Sequence, residues 1–115
     1  MKTLIEKYWQ DMHDAIVAQD KTKILQNFAP NAVYKYREPK GIEVIALNDM
    51  VASCLGYKES MDGGYTIEQV DELADGRWVS VITSSVNKTP YMATSYFKFE
   101  GGKIVELLEY YADLI

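Results

Sequence analysis

Residues 91–113 read YMATSYFKFEGGKIVELLEYYAD, and this stretch decides the fold. Apolar and aromatic residues recur through two long runs, and Gly101-Gly102 stands between them. Adjacent glycines between runs rich in β-branched and aromatic residues are typical of a tight hairpin turn. The stretch therefore predicts two long antiparallel strands, which we expect to form the floor of a small-molecule pocket.

Turn signals upstream extend this hairpin into a larger sheet. Asp75-Gly76 is a strong signal for a two-residue hairpin, and Asn87-Lys88-Thr89-Pro90 predicts another turn. Pro90 is expected to begin its strand, where a missing backbone N–H is tolerated. The part of the chain after the glycine-rich segment 56–64 therefore predicts a four-stranded antiparallel meander.

The first half of the chain carries helical signals. Apolar residues recur at three- and four-residue steps and predict an amphipathic helix over residues 3–19. Asp20 is expected to cap a short second helix, Lys21 to Phe28, because its carboxylate can accept the free amides of the first turn. The alternating run NAVYKYRE predicts a strand, and a third helix is expected over Ile42 to Leu55.

The two sides of the NAVYKYRE strand differ in charge. Lys35 and Arg37 alternate with Tyr34, Tyr36 and Glu38. Two cations on one side indicate that this side meets solvent. The two tyrosines and the glutamate are therefore expected to point inward.

Composition and charge exclude several classes of function. The 115 residues suit one hydrophobic core, so we expect a single domain over residues 1–115. A net charge of −5, from 17 acidic and 12 basic residues without a basic cluster, argues against nucleic-acid binding. The lone Cys54 excludes an internal disulfide and a cysteine-rich zinc site, and a single histidine gives metal binding no support. No cofactor is implied.

Membrane and secretion signals are also missing from the sequence. No apolar run approaches the roughly 18 residues that a membrane span needs. The first residues, MKTLIEKYWQDM, carry charges too early for a secretory signal peptide. We therefore expect a cytoplasmic protein with no membrane partner.

The turns also predict which residues share a face of the meander. If each turn has two central residues, one face carries two formal charges and the other carries eight. The helices should cover the first face, and its two charges are Asp71 and Glu106. A carboxylate beside a pocket is a natural general acid or base. The open alternatives are a bulge that turns either residue outward, or a hydrogen bond from Ser80 to Asp71 near a rim. If both carboxylates face solvent, these acid and base candidates fail.

The second face of the meander carries an apolar band between its charged edges. Its members are Val70, Val79, Val81, Tyr96, Val105 and Leu107. Such a patch on the outside of a sheet often marks a subunit interface. We expect a homodimer that packs through this outer sheet face.

The order of elements, with AQDKTKILQNFAPNAVY early and FKFEGGKIVELLEYYAD late, resembles the nuclear-transport-factor-2-like superfamily, in particular SnoaL-like proteins. The resemblance covers essentially the whole chain. It implies an α+β fold in which three N-terminal helices pack on a curved, mainly antiparallel sheet, a cone-shaped α+β barrel with a cavity at its open end. Ketosteroid isomerases, polyketide cyclases, epoxide hydrolases and dehydratases share this fold with domains that do no chemistry.

The residues of the ketosteroid isomerase site are only loosely matched. Those enzymes use an aspartate base and an oxyanion hole of tyrosine and protonated aspartate. The resemblance places Glu38 near the position of the base, Met12 with neighbouring His13 at that of the tyrosine, and Ser95 at that of the protonated aspartate. Steroid isomerase chemistry is therefore not expected.

Other activities in the superfamily are matched no better. The resemblance places Asp113 where polyketide cyclases keep an acid, although the predicted register turns it outward. Epoxide hydrolases need an arginine between two aspartates, whereas Arg37 and Arg77 are both predicted to face outward.

Three functions remain. The first is a protein that binds a small apolar organic ligand in an aromatic cavity. The second is an isomerase, cyclase or dehydratase with a pocket carboxylate as its general base, and the third is a non-catalytic interaction module with a filled cone. The candidate catalytic residues are Glu38, Asp71, Glu106 and His13. The candidate ligand-binding residues are Trp9, Met12, Tyr34, Tyr36, Trp78, Ser95, Phe97 and Tyr110.

Overall fold

Six strands form one open, curved, mixed sheet, and three helices pack on it. The computed structural model describes residues 1–113, with side chains through residue 112. The elements are α1 (Lys2–Ala18), α2 (Lys21–Leu25), β1 (Phe28–Glu38), β2 (Gly41–Ile45), α3 (Leu47–Leu55), β3 (Thr66–Glu72), β4 (Trp78–Val86), β5 (Thr89–Glu100) and β6 (Lys103–Asp113). The strand order is β2-β1-β6-β5-β4-β3, and only the β1–β6 pair is parallel. The predicted α+β class, the three helices and the four-stranded meander are confirmed.

The first helix follows its apolar stripe. Its buried residues are Ile5, Tyr8, Trp9, Met12, Ala15 and Ile16. The helix ends where Gln19 takes a left-handed conformation with φ of 55°. Asp20 then caps α2 as predicted, since its side chain accepts a hydrogen bond from the Thr22 amide at 3.0 Å. No helix in the described chain is long and apolar enough to cross a membrane.

The predicted third helix is wrong in its first part. Residues 41–45 form strand β2, which pairs antiparallel with β1 through a tight connection at Pro39-Lys40. Ile42 and Val44 are exposed there rather than buried on a helical stripe. β-Branched residues favour a pleated strand, and the free edge of β1 supplies its hydrogen-bond partner. The helix proper begins at Leu47.

The second helix and the first strand also differ from prediction. The helix ends at Leu25, and the strand already begins at Phe28. Phe28 pairs with Ile104 of β6, so contact with a distant strand overrides the local helical pattern. Pro30 lies inside the strand at a point where the β1–β6 register is interrupted.

The β3–β4 turn moves Asp71 to the outer face. Leu73 and Arg77 are joined by a 2.7 Å backbone hydrogen bond, which leaves a three-residue loop that ends on Gly76 with φ of 88°. The predicted two-residue turn is therefore wrong, and the register moves by one residue. Asp71 lies opposite Val79 instead of Ser80, is exposed, and accepts a hydrogen bond from Gln69.

The β4–β5 turn differs from prediction without any change of face. Its two central residues are Asn87 and Lys88, with φ of 51° and 67°, so the turn lies one residue earlier than expected. The register then moves by two residues, which preserves the side-chain alternation. Trp78 lies opposite Phe97, and both stay on the helix-covered face.

A bulge in β6 reverses the predicted faces of the last strand. The Gly101-Gly102 turn is confirmed, with φ of 58° and 78°. Beyond it, Val105 is an extra residue, because Phe99 pairs with Ile104 but Lys98 pairs with Glu106. Glu106 therefore turns outward, where Lys35 Nζ lies 3.2 Å from its carboxylate. Tyr110 also turns outward and is 37% exposed.

The outer apolar band changes with these shifts. Leu107 is fully buried beneath the helices, and Val70 lies opposite Ser80 on the covered face, so their predicted outer placement is wrong. Leu108 and Tyr110 take their place, since they lie opposite Tyr96 and Thr94. The three-residue β3–β4 loop and the bulge at Val105 are the physical cause.

Phe97 is the aromatic centre of the core. It is fully buried, stacks on Phe99 with ring centroids 5.7 Å apart, and meets the edge of Tyr8 at 5.5 Å. Replacing it removes apolar surface and leaves a cavity beneath α1.

We expect Phe97→Ala to lower the free energy of unfolding by about 3–5 kcal/mol. Val44→Ala, at an edge-strand position that is 69% exposed, should lower it by less than about 1 kcal/mol. Urea unfolding followed by tryptophan fluorescence measures both values. Equal losses for the two variants would contradict this assignment of the core.

Candidate functional site

A half-open cavity of about 520 Å³ lies between the sheet and α3. Six of its fifteen lining residues are tyrosines, and most of the others are apolar. The lining residues are Ile16, Tyr34, Tyr36, Glu38, Ile45, Met50, Ser53, Cys54, Tyr57, Met61, Tyr65, Val86, Thr89, Tyr91 and Tyr111. We call this space the tyrosine cavity.

A buried carboxylate lies beneath the tyrosine cavity. Glu109 is only 2% exposed and receives hydrogen bonds from three hydroxyl groups. Tyr34 donates to Oε1 at 2.9 Å, Tyr111 donates to Oε1 at 3.1 Å, and Ser95 donates to Oε2 at 2.6 Å. We call these four residues the Glu109 cluster. Such convergence is what a buried carboxylate requires, because its lone pairs are costly to leave without donors.

Backbone geometry brings the cluster together. Glu109 lies opposite Ser95 on β5, and Tyr111 is two residues further along the same face of β6. Tyr34 comes from β1, whose parallel register places it beside Leu107. The distant strand β1 and the β5–β6 hairpin therefore bring three hydroxyl groups to one carboxylate.

The cluster shifts the acidity of its members. Burial raises the pKa of Glu109 above its ordinary value, although the hydrogen bonds from Ser95, Tyr34 and Tyr111 oppose this. Burial, followed by the charge of Glu109, raises the pKa of Tyr34. The pKa of Tyr111 is raised for the same reasons, because its hydroxyl end lies against Glu109 although 42% of the residue is exposed. Both tyrosines are therefore protonated donors at neutral pH.

Cys54 is the one thiol in the cavity wall. Burial, followed by the charge of Glu109, raises its pKa to about 12. A thiol with so high a pKa holds little thiolate and is a poor nucleophile at neutral pH. Its sulfur instead lies 3.6 Å from that of Met50, within an apolar wall.

Three of the predicted site residues line the tyrosine cavity. Tyr34, Tyr36 and Glu38 project from one face of β1 into it, as the alternation of that strand predicted. The ring of Tyr36 lies 5.5 Å from that of Tyr111, which joins β1 to β6 across the cavity wall. Glu38 is the only one of the four candidate catalytic residues found among the lining residues.

Two further candidate site residues line a second, smaller pocket of about 130 Å³. Trp9 and His13 line it together with Gly64 and Tyr65, and Tyr65 also lines the tyrosine cavity. The Nδ1 atom of His13 is buried without a hydrogen-bond partner in the part of the chain described. Trp9 donates its indole N–H to Ser80 at 3.2 Å.

Four more candidates belong to the core, its edge or the cluster. Met12 and Phe97 are packed in the core, and Trp78 is half-buried at one end of β4. Ser95 is fully buried beneath the cavity, where it contacts Glu109. None of the four lines the tyrosine cavity.

Asp71, Glu106 and Tyr110 lie outside the site altogether. The first two form outer-face contacts with Gln69 and Lys35, so neither can serve as a pocket acid or base. Asp113 pairs with Tyr91 through its backbone, and its side chain lies outside the described part. Among the side chains of residues 1–112, no three histidine, cysteine, aspartate or glutamate residues cluster as a metal site would.

Sequence reasoning missed Glu109 and Tyr111, the central members of the cluster. Both sit in the run LLEYYAD, where charged and aromatic residues occur on either face. A strict two-residue alternation from the Gly101-Gly102 turn assigns them outward, and the Val105 bulge reverses this assignment. No local signal in the sequence marks that bulge.

Comparison with known proteins supports the fold alone. No protein-family model and no curated protein matches the chain. Among solved structures, an NTF-2-like protein of unknown function from Burkholderia xenovorans superposes with a TM-score of 0.72 at 18% identity, covering 99% of this chain and 84% of that one. AclR, a proposed hydroxylase from Streptomyces galilaeus, superposes with a TM-score of 0.73 at 18% identity, covering 96% of this chain and 77% of that one.

An enzyme is also among the similar structures. A steroid delta-isomerase from Pseudomonas aeruginosa gives a TM-score of 0.62 at 14% identity, covering 91% of this chain and 77% of that one. The chain therefore has the NTF2-like fold, as the sequence resemblance predicted. Structures of this kind include proteins of unknown function, a proposed hydroxylase and an isomerase, so the fold by itself assigns no activity.

The raised pKa of Glu109 has a consequence for stability. A carboxyl group with a higher pKa in the folded state binds its proton more tightly there than in the unfolded chain. Its contribution to stability is complete below the unfolded pKa and is lost as pH rises through the folded value. The wild type should therefore lose stability relative to Glu109→Gln as pH rises above about 4.5.

Urea unfolding of both proteins at a series of pH values from about 4 to about 8 tests this prediction. The stability difference between them should change by at most about 1.4 kcal/mol per pH unit within the titration window. A stability difference that stays constant across the pH series would contradict a raised pKa of Glu109.

Proposed function

We propose that this protein binds a small, mainly apolar organic molecule in the tyrosine cavity. The observation that carries the proposal is a half-open space of about 520 Å³ lined by aromatic and apolar side chains with a few polar groups. Ligand sites commonly have volumes of about 300–1,000 Å³ and this type of lining.

The polar groups of the cavity favour binding over proton abstraction. Both oxygens of Glu109 already accept hydrogen bonds, and Glu109 is not itself a lining residue. The raised pKa of Tyr34, caused by burial and then by the charge of Glu109, makes its phenolate difficult to form. A general base must reach the proton that it removes, and neither group is free to do so.

An enzyme of the isomerase, cyclase or dehydratase type is the second candidate. One observation favours it: Glu38 lines the cavity and lies near the position that the superfamily resemblance gives to a base. A structurally similar steroid delta-isomerase from Pseudomonas aeruginosa makes the comparison relevant. Under this alternative Glu38 would remove a proton from a carbon acid, and Glu38→Gln would abolish turnover. An interaction module with a filled cone is disfavoured by the size of the cavity.

Occluding the cavity tests the binding proposal. Ser53 lines the cavity from α3 and is exposed, so a tryptophan there can enter the space without disturbing the core. We expect Ser53→Trp to weaken the binding of 2-naphthol by about tenfold or more, because the indole takes up ligand volume. Isothermal titration calorimetry measures the dissociation constants.

The matched control is Ala52→Trp, on the same helix. Ala52 is exposed and does not line the cavity, so this variant should keep the wild-type affinity. Glu38→Gln should bind 2-naphthol within about twofold of wild type, since a ligand that lacks an acidic carbon needs no base. Failure of the wild type to bind any naphthalene derivative would overturn the proposal.

We also propose that the protein forms a homodimer through the outer sheet face. That face carries Val79, Val81, Tyr96, Leu108 and Tyr110, and the rings of the two tyrosines meet at 5.9 Å. Partly exposed apolar side chains on one strand face form the kind of patch that marks an interface.

A charge at the centre of this patch tests the dimer. We expect Tyr110→Glu to convert a dimer into a monomer, because two carboxylates would be buried near the symmetry axis. Val17→Glu, on α1 and 56% exposed, is the control and should leave the dimer intact. Sedimentation equilibrium gives the masses; a monomeric wild type would contradict the proposal.

A further inference from the structure

We propose that the tyrosine cavity selects ligands that carry a hydrogen-bond donor, such as a phenolic hydroxyl, over ligands of the same shape whose only polar atom is an acceptor. This inference rests on the proposed binding function and adds the chemical class of the ligand. It follows from the number of protons in the Glu109 cluster and from the direction in which they point.

When Glu109 is ionised, every hydroxyl proton of the Glu109 cluster is already donated to its carboxylate. Each of the three hydroxyl groups carries one proton, and an ionised carboxylate carries none. Tyr34, Tyr111 and Ser95 each direct that single proton to Glu109, at 2.9, 3.1 and 2.6 Å. All three protons are therefore used inside the cluster, while the hydroxyl oxygens keep free lone pairs.

Two of these oxygens belong to residues that a ligand can reach. Tyr34 and Tyr111 line the cavity, whereas Glu109 and Ser95 do not. A ligand hydroxyl can donate to either tyrosine oxygen and leave the cluster intact. A ligand carbonyl or ether can pair with Tyr34 or Tyr111 only by taking a proton from Glu109, which would leave a buried carboxylate short of a donor.

No group that faces Glu109 reverses this polarity at the cluster. The hydroxyls of Tyr36, Tyr57, Tyr65 and Tyr91 belong to the rest of the lining, so the selection applies to a ligand group placed beside Tyr34 and Tyr111. In residues 1–113 no lysine or arginine forms an ion pair with Glu109. The other titratable groups whose pKa values are raised by burial and also by the charge of Glu109 are neutral, and they come from α1, β1, α3, the segment before β3, and β5. They are Tyr8, Tyr36, Cys54, Tyr65 and Tyr91. The hydroxyl of Tyr8 has no hydrogen-bond partner, but Tyr8 does not line the cavity.

Protonation of Glu109 would change the number of available protons by one. The neutral acid donates its own proton to one of the hydroxyls, which then has a proton free for an acceptor on the ligand. An acceptor ligand therefore binds together with one proton, and its affinity falls by up to about tenfold per pH unit once Glu109 is ionised. A donor ligand shows no such loss.

Two probes of nearly equal shape separate these cases. 2-Naphthol carries a hydroxyl that can donate, and 2-methoxynaphthalene has an ether oxygen that can only accept. We expect the wild type to bind 2-naphthol about tenfold more tightly at a pH at which Glu109 is ionised. The preference should shrink as pH falls. Titration calorimetry, with fluorescence as a second readout, gives both dissociation constants.

Variants then connect the preference to the cluster. Tyr34→Phe removes one accepting oxygen and should weaken 2-naphthol binding severalfold with little change for the ether. Glu109→Gln brings two amide protons into the cluster, so the preference should fall to about twofold or less. Tyr110→Phe is the matched control, because Tyr110 is adjacent in sequence but faces outward, and it should keep the wild-type preference.

Each outcome decides the matter. Equal binding of the two probes, tighter binding of the ether, or a preference unchanged in both Tyr34→Phe and Glu109→Gln would overturn this inference and leave the binding function standing. Failure of the wild type to bind either probe would overturn the binding function and this inference together. Circular dichroism of each variant verifies that a lost preference comes from a folded protein.

Discussion

The buried carboxylate of Glu109 is the interaction on which the rest of the site depends. A group that is 2% exposed and carries no ion pair within the described chain must obtain its donors from neighbouring side chains. Tyr34, Ser95 and Tyr111 supply them from three strands, so the carboxylate ties β1, β5 and β6 together. The same contacts hold two cavity-lining tyrosines in fixed positions. The stability of the sheet and the positions of cavity-lining side chains are thus linked through one group.

Two small backbone irregularities make this arrangement available. The three-residue loop ending at Gly76 sends Asp71 to solvent, and the Val105 bulge sends Glu106 to solvent while turning Glu109 inward. The sequence predicts two carboxylates beneath the helices on these strands, and the structure has one. That one has three donors, whereas Asp71 and Glu106 pair on the outside with Gln69 and Lys35. The position of the bulge therefore determines which acidic side chain of β6 is buried.

The NTF2-like fold supplies a cavity, and the side chains around it determine what the cavity can do. A tyrosine-lined wall above a saturated carboxylate differs in polarity from an oxyanion hole, which directs donors at its ligand. Here the hydroxyl protons of Tyr34 and Tyr111 point toward Glu109, so the proposed ligand would meet accepting oxygens at this part of the wall. Glu38 remains the one predicted acid in the wall, at the end of β1. The same fold can therefore carry a site that donates hydrogen bonds to a ligand, as an oxyanion hole does, or a site that accepts them, as we propose for the Glu109 cluster.

The sequence by itself determined the α+β class, the first helix, the capped second helix, the four-stranded meander and the inward face of Tyr34, Tyr36 and Glu38. These features depend on local periodicity, caps and turn residues, which short segments encode. Tertiary structure alone decided strand β2, the outward placement of Asp71 and Glu106, the burial of Glu109, and the contact of the Tyr111 hydroxyl with it. A one-residue change in a loop or bulge reverses every side chain beyond it, and its position is set by packing against distant strands rather than by neighbouring residues.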